Sequence, residues 1–120
     1  MFSASVLDHF QRPRNAGELP GATHTVNVSN PVCGDLLRLA VRMDGEKIAA
    51  ARFLCRGCTT AIAAASFLTE LLVGVTPDSA QRITAATISN GLEGLPPATF
   101  HGAQLAESAV AALLGELRRR

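Results

Sequence analysis

The chain has 120 residues, 48% of them hydrophobic, with 11 Lys and Arg against 10 Asp and Glu for a net charge of +1. That length and apolar content suit a single domain over residues 1–120 with a buried core, and the balanced charge excludes the basic excess with which nucleic-acid binders neutralise phosphates. No apolar run is long enough to cross a bilayer, the opening MFSASVLDHFQRPR lacks the features of a signal peptide, and three cysteines cannot form a closed disulfide set, so we expect a reduced, cytoplasmic protein with neither membrane nor nucleic acid as partner.

SASVLDHFQRPRNAG reads as a short helix with Ser3 or Ser5 as cap, Val6, Leu7 and Phe10 on one face, and Pro13 closing it. THTVNVSNP alternates as a strand that ends at Pro31. From Asp35 the alternation sharpens, with Leu37, Leu39, Val41 and Met43 on one face and Arg38 and Arg42 on the other. Asp44-Gly45 then marks a tight hairpin, after which Ala49, Ala51, Phe53 and Cys55 share the face opposite Ile48, Ala50 and Arg52. Residues 59–73 form an Ala- and Leu-rich helix capped by Thr59 or Thr60 and ended by Gly74, and VTPDSAQRI opens another on Thr76 and Pro77. SNGLEGLPP reads as a loop. The last helix starts at His101 or Gly102 and carries Leu105, Val110, Leu113, Leu114 and Leu117 on a broad stripe. The order predicts an α+β fold, a three-stranded antiparallel sheet with helices packed on one face.

Chemistry concentrates at the junctions. Cys33 lies in NPVCGDLL, where Pro31 and Gly34 punctuate a loop and Asp35 offers a hard oxygen two residues on; an ordinary turn thiol beside a turn-forming Asp is the plain alternative. Cys58 stands at the start of a helix, where the dipole favours the thiolate that serves as both nucleophile and metal ligand; its alternative is a small buried hydrophobe. His101 opens the last helix, and alone it would be a cap or surface residue. Three such junctions, each with a potential ligand, can converge at one end of the sheet. His9 and His24 read as surface residues.

Taken in order, LDHFQRPRNAG, NPVCGD, ARFLCRGCTTAIAAASFLTELLVG and LPPATFHGAQLAESAVAAL resemble the IscU and NifU N-terminal family of iron-sulfur cluster scaffolds over nearly the whole chain. The resemblance implies that Cys33, Asp35, Cys58 and His101 form an assembly site, with Cys33 and Cys58 as sulfur acceptors. It further implies that iron is bound, that a cysteine desulfurase delivers sulfur, and that a 2Fe-2S cluster is built and passed to recipient apoproteins, the work of a carrier rather than an enzyme. Zinc is the alternative occupant, as in the zinc-dependent sulfur acceptors of the SufU branch, which carry an insertion not visible here. A third reading is a metal-binding relative that has lost assembly.

Two departures stand out. The family places a third cysteine directly after the histidine, where this chain has Gly102. The chaperone-recognition stretch, similar to Leu-Pro-Pro-Val-Lys, here reads Leu95-Pro96-Pro97-Ala98-Thr99, which argues against an Hsp70-type contact. Cys55 matches no family ligand. Strand parity puts it with Phe53 toward the core, and a turn at the strand's last residue would instead let it supply the thiolate that Gly102 lacks.

Overall fold

Alternating apolar residues on either side of Gly45 pair as a hairpin, and the weaker strand before them adds to its free edge. In the computed structural model, which describes residues 2–30 and 34–119, β1 (His24–Asn30), β2 (Asp35–Asp44) and β3 (Lys47–Arg56) form an antiparallel sheet in the order β1-β2-β3. Val26 stands opposite Leu39, and Leu39 opposite Phe53. One face therefore collects Val26, Leu37, Leu39, Val41 and Phe53, all buried. The two turn residues are Gly45 and Glu46, between paired Asp44 and Lys47, one position beyond the Asp44-Gly45 pair. Gly45 takes φ +63°, a conformation that side chains rarely adopt.

β3 departs from simple alternation. Arg42 pairs with Ala50 and Met43 with Ile48, so Ala49 is an extra residue without a partner. This bulge reverses the parity: Ile48 is fully buried and Ala49 exposed, the opposite of the sequence expectation. Beyond it Ala51, Phe53 and Cys55 face inward as expected.

Helices α2 (Thr59–Leu72) and α5 (His101–Leu117) cover the apolar face. In α2 the buried Ala61, Ala63, Ala64 and Ala65 let the helix lie close to its neighbours, while Leu68 and Leu72 fill the space beyond. α5 buries Leu105, Val110, Leu113 and Leu114 along the predicted stripe. Each large side chain so buried stabilises the fold by about 1.5–3 kcal/mol. The N-cap of α2 is Cys58, without a side-chain cap bond, rather than Thr59 or Thr60. Gly74 ends α2 at φ +90°, and its N–H donates to Ile48 O at 2.7 Å, fastening the helix end to β3.

Smaller helices close the rest. α1 (Ala4–Gln11) starts on Ser3, whose hydroxyl accepts from the Val6 N–H and donates to Leu92 O at 2.8 Å. Val6 enters the core as expected, but Leu7 and Phe10 are each 39% exposed; the inward position belongs to His9, so this helix is turned from the stripe that apolarity alone suggested. α3 (Pro77–Ala80) is capped by Thr76 as its sequence indicates. α4 (Ala85–Gly91) takes in the first three residues of the SNGLEGLPP stretch expected as loop. A capping box between Thr84 and Thr87, together with buried Ile88, outweighs the weak helix propensity of Asn90 and Gly91.

The loop after α1 finishes the sheet. The Phe53 N–H donates to Asn15 O at 2.9 Å, and the Gly17 N–H donates to Phe53 O at 2.8 Å, so this loop occupies the outer edge of β3. Among the described residues, no helix is long and apolar enough to cross a membrane.

Candidate metal centre

Asp35 is the first residue of β2, Cys58 the N-cap of α2, and His101 the first residue of α5. Because α2 and α5 begin at the same end of the sheet, these three side chains meet. Cys58 Sγ lies 3.5 Å from His101 Nε2 and 3.9 Å from Asp35 Oδ2, and His101 Nε2 lies 3.7 Å from the same oxygen. A tetrahedral ion with metal–N/O bonds near 2.1 Å and a metal–S bond near 2.3 Å separates its ligand atoms by roughly 3.3–3.8 Å. Two of the three separations fall within that range and the third, 3.9 Å, lies just outside it, so the triangle is close to one face of such a tetrahedron. Sulfur, imidazole and carboxylate together suit zinc or iron.

The carboxylate shows the strongest need for a cation. The Asp35 side chain is 5% exposed; among the described residues it accepts a long hydrogen bond from the Cys58 thiol and pairs with the His101 imidazole, with no Lys or Arg in an ion pair with it. A carboxylate buried without a fixed positive partner is costly, and a cation removes the cost. Gly57 makes this arrangement possible: a Cβ there would stand 2.7 Å from Asp35 Oδ1. Sequence reading passed over Gly57, whose place immediately before Cys58 was the available signal.

Gly102, where the related family has cysteine, is buried against the first turn of α2. A Cβ at Gly102 would lie 3.0 Å from Ala61 N, from the Thr60 carbonyl carbon and from Thr60 Cγ2. The Thr60 hydroxyl oxygen, in the same contact region, is buried without a hydrogen-bond partner among the described residues.

The other sequence candidates fall as follows. Cys33 lies outside the described residues. Cys55 faces inward opposite Leu37, half-buried and packed on the core. Burial first, then the negative charges of Asp35 and Cys58, push its thiol up to about 12, so it stays protonated.

His9, expected at the surface, is 7% exposed and belongs to a separate polar cluster. Ser66 Oγ accepts from the Arg14 N–H at 2.8 Å and sits 2.8 Å from His9 Nδ1. With no other acceptor for it among the described residues, the serine proton is assigned to Nδ1, which leaves Nε2–H toward Glu70 Oε1 at 3.6 Å. Burial, then the Arg14 charge, lowers the His9 pKa. Hydrogen bonds from Arg14 and then Arg12 lower that of the partly exposed Asp8.

Comparison with known proteins agrees with this architecture. The model of the NifU-like N-terminal domain matches residues 1–120. The iron-sulfur cluster assembly scaffold protein IscU of Escherichia coli (strain K12) is 37% identical over 123 aligned residues, covering 99% of this chain and 95% of that protein. A scaffold protein IscU of Archaeoglobus fulgidus is 39% identical over 110, covering 92% and 72%. Among solved structures, a candidate iron-sulfur cluster assembly scaffold protein for the SUF system of Fervidobacterium islandicum superposes with a TM-score of 0.79 at 20% identity, covering 94% of this chain and 96% of that one. The N-terminal part of a NifU-like protein of Brucella abortus gives 0.64 at 15% identity, covering 92% and 78%, and both superpositions speak to the fold alone. The chain belongs to the NifU-like N-terminal domain family.

Proposed function

We propose that this protein is an iron-sulfur cluster assembly scaffold, which holds iron at Asp35, Cys58 and His101, receives sulfur from a cysteine desulfurase, and hands a 2Fe-2S cluster to apoproteins. Cys33, two residues from Asp35 along the chain, is the fourth ligand in this reading. The observation that carries it is the buried Asp35 carboxylate with a thiol and an imidazole whose ligand atoms all lie within 4.8 Å of one another. Iron and sulfur are substrates here rather than resident cofactors.

The residues divide the work by exposure. Cys58 is an exposed free thiol, accessible to a persulfide carried by a cysteine desulfurase. The Cys58 thiolate attacks the outer sulfur of that persulfide, the new S–S bond forming as the donor's S–S bond breaks and the donor leaves as its thiolate, so the transferred sulfur stays at the level of elemental sulfur. Two electrons and cleavage of that bond then release sulfide and regenerate the Cys58 thiolate. Asp35 is a hard, exchangeable ligand, fitted to a site that must give its cluster up. The exposed Pro96, Pro97 and Ala98 precede His101, but without the family's lysine we assign no chaperone contact.

The test is anaerobic incubation of the purified protein with ferrous iron, cysteine, a cysteine desulfurase, and dithiothreitol as the electron source. Growth of visible absorbance with equal iron and acid-labile sulfide is the expected result, and the absence of Trp and Tyr leaves the near-ultraviolet clear. Protein that gains no sulfide-dependent absorbance would count against the scaffold.

The compact ligand triangle favours one second reading, a single zinc ion held by the same residues in a sulfur acceptor. Stoichiometric zinc in protein purified without added iron, together with stimulated desulfurase turnover, distinguishes it.

A further inference from the structure

The sheet face turned away from α2 and α5 carries a zigzag of arginines. Arg56 stands opposite Leu36, Arg38 opposite Leu54, Arg52 opposite Ala40, and Arg42 opposite Ala50. Successive arginines thus alternate between β3 and β2 and advance two residues at a time, roughly 7 Å per step. All four are exposed, and none makes an ion pair among the described residues. Arg38 Nε donates to Asn27 Oδ1 at 3.1 Å.

No carboxylate interrupts this file. β1 contributes Thr25, Asn27 and Ser29, and Asp44, at the hairpin end, stands opposite Lys47. Glu18, in the loop beside Arg52, forms no ion pair with it. In a chain of net charge +1, the strand positions of this face from Arg56 to Arg42 hold no acid, and Asp44 comes only at the hairpin end beside Lys47. Like charges at such spacing repel, and a bound anion would relieve them. At the end nearest Cys58, Asn27, Arg38, Arg56 and the exposed Leu36 and Leu54 line a shallow groove of about 430 Å³.

Spacing and composition select the ligand. Alternate side chains of an extended peptide repeat at roughly 7 Å, so carboxylates at every second position each meet one guanidinium, which can bind them bidentately. A single-stranded nucleic acid also offers regularly spaced anions, but binding it draws on aromatic rings for base stacking. This face has none, and the chain lacks Trp and Tyr altogether.

We propose that the outer face of the sheet binds an extended acidic segment of a partner protein, its alternate carboxylates paired with Arg56, Arg38 and Arg52. The test uses a fluorescein-labelled peptide of alternating Glu and Thr, a Gln-Thr control peptide and an oligothymidine, titrated with the full chain and followed by anisotropy. The Glu-Thr peptide should bind, weaken as salt rises from about 50 to about 300 mM, and lose about tenfold in affinity with Arg38→Gln/Arg56→Gln. Because Arg38 also holds Asn27, Arg52→Gln/Arg56→Gln is the second variant and should lose as much, with its thermal midpoint unchanged. Binding by both variants as tight as the parent's, no binding of the Glu-Thr peptide at low salt, or tighter binding of the oligothymidine would each overturn the proposal.

Discussion

The α carbon of Gly102 faces the backbone nitrogen of Ala61 so closely that a side-chain carbon on Gly102 would stand 3.0 Å from it. Two helices have closed over the position where the related family carries a thiol. Gly102→Cys therefore adds bulk to a filled contact instead of restoring a ligand. Overpacking of this kind costs about 1–3 kcal/mol, several degrees of thermal midpoint for a domain of this size. Differential scanning of the metal-free variant should show that drop; a midpoint equal to the parent's would mean that α2 and α5 separate freely.

Thr60 gives the opposite sign. Its hydroxyl is buried without a partner among the described residues, and an unsatisfied buried donor destabilises a fold by about 1–3 kcal/mol. Thr60→Val removes the group at nearly constant volume, so the metal-free protein should melt higher, while Thr60→Ser should not. A lower midpoint for the valine variant would reveal a hydrogen bond that this conformation does not contain.

The sheet was legible because its alternation is enforced by burial, with Leu37, Leu39 and Val41 inward and Arg38 and Arg42 outward. Ala49 was not, because a bulge inserts a residue without changing composition, and alanine tolerates either face. The helix over Ala85–Gly91 hid behind Asn90 and Gly91, whose low propensity is overridden by the Thr84 cap and the burial of Ile88. Asp35, Cys58 and His101 could be named from their punctuated junctions, yet their convergence depends on α2 and α5 starting at one end of the sheet, which no local signal encodes. His9 was misplaced because its partner Ser66 lies 57 residues away.

Gly57 positions the Asp35 carboxylate by leaving it room. Gly57→Ala should displace that carboxylate and weaken zinc binding about tenfold, the scale on which supports of metal ligands act. Competition with a chromophoric chelator measures it, and unchanged affinity would remove Asp35 from the ligand set.

Cys55, protonated and packed on the core, should behave as a hydrophobe. Cys55→Ser should leave metal content intact, and iodoacetamide at pH 8 should modify Cys58 well before Cys55 in the metal-free protein. Mass-spectrometric mapping reads both, and loss of metal with Cys55→Ser would make it a ligand.

The lowered His9 pKa makes stability depend on pH. Below the ordinary histidine value the unfolded chain takes up a proton that the folded chain resists, so the unfolded state binds more protons and stability rises with pH. This contribution is complete above the unfolded value and is lost as pH falls toward the lowered one. Thermal midpoints of the metal-free protein between pH 5 and 8 should slope upward, and His9→Asn should flatten that slope; equal slopes would exclude His9 as the source.

The two bonds between Phe53 and the N-terminal loop give the chain an internal gauge. The Phe53 amide is protected by Asn15 rather than by a neighbouring strand, so its deuterium exchange is set by undocking of that loop and not by fraying of the β2–β3 ladder. Since Phe53 lies two residues before Cys55 and five before Cys58, a single exchange rate reports how often the strand leading to Cys58 loses its outer support.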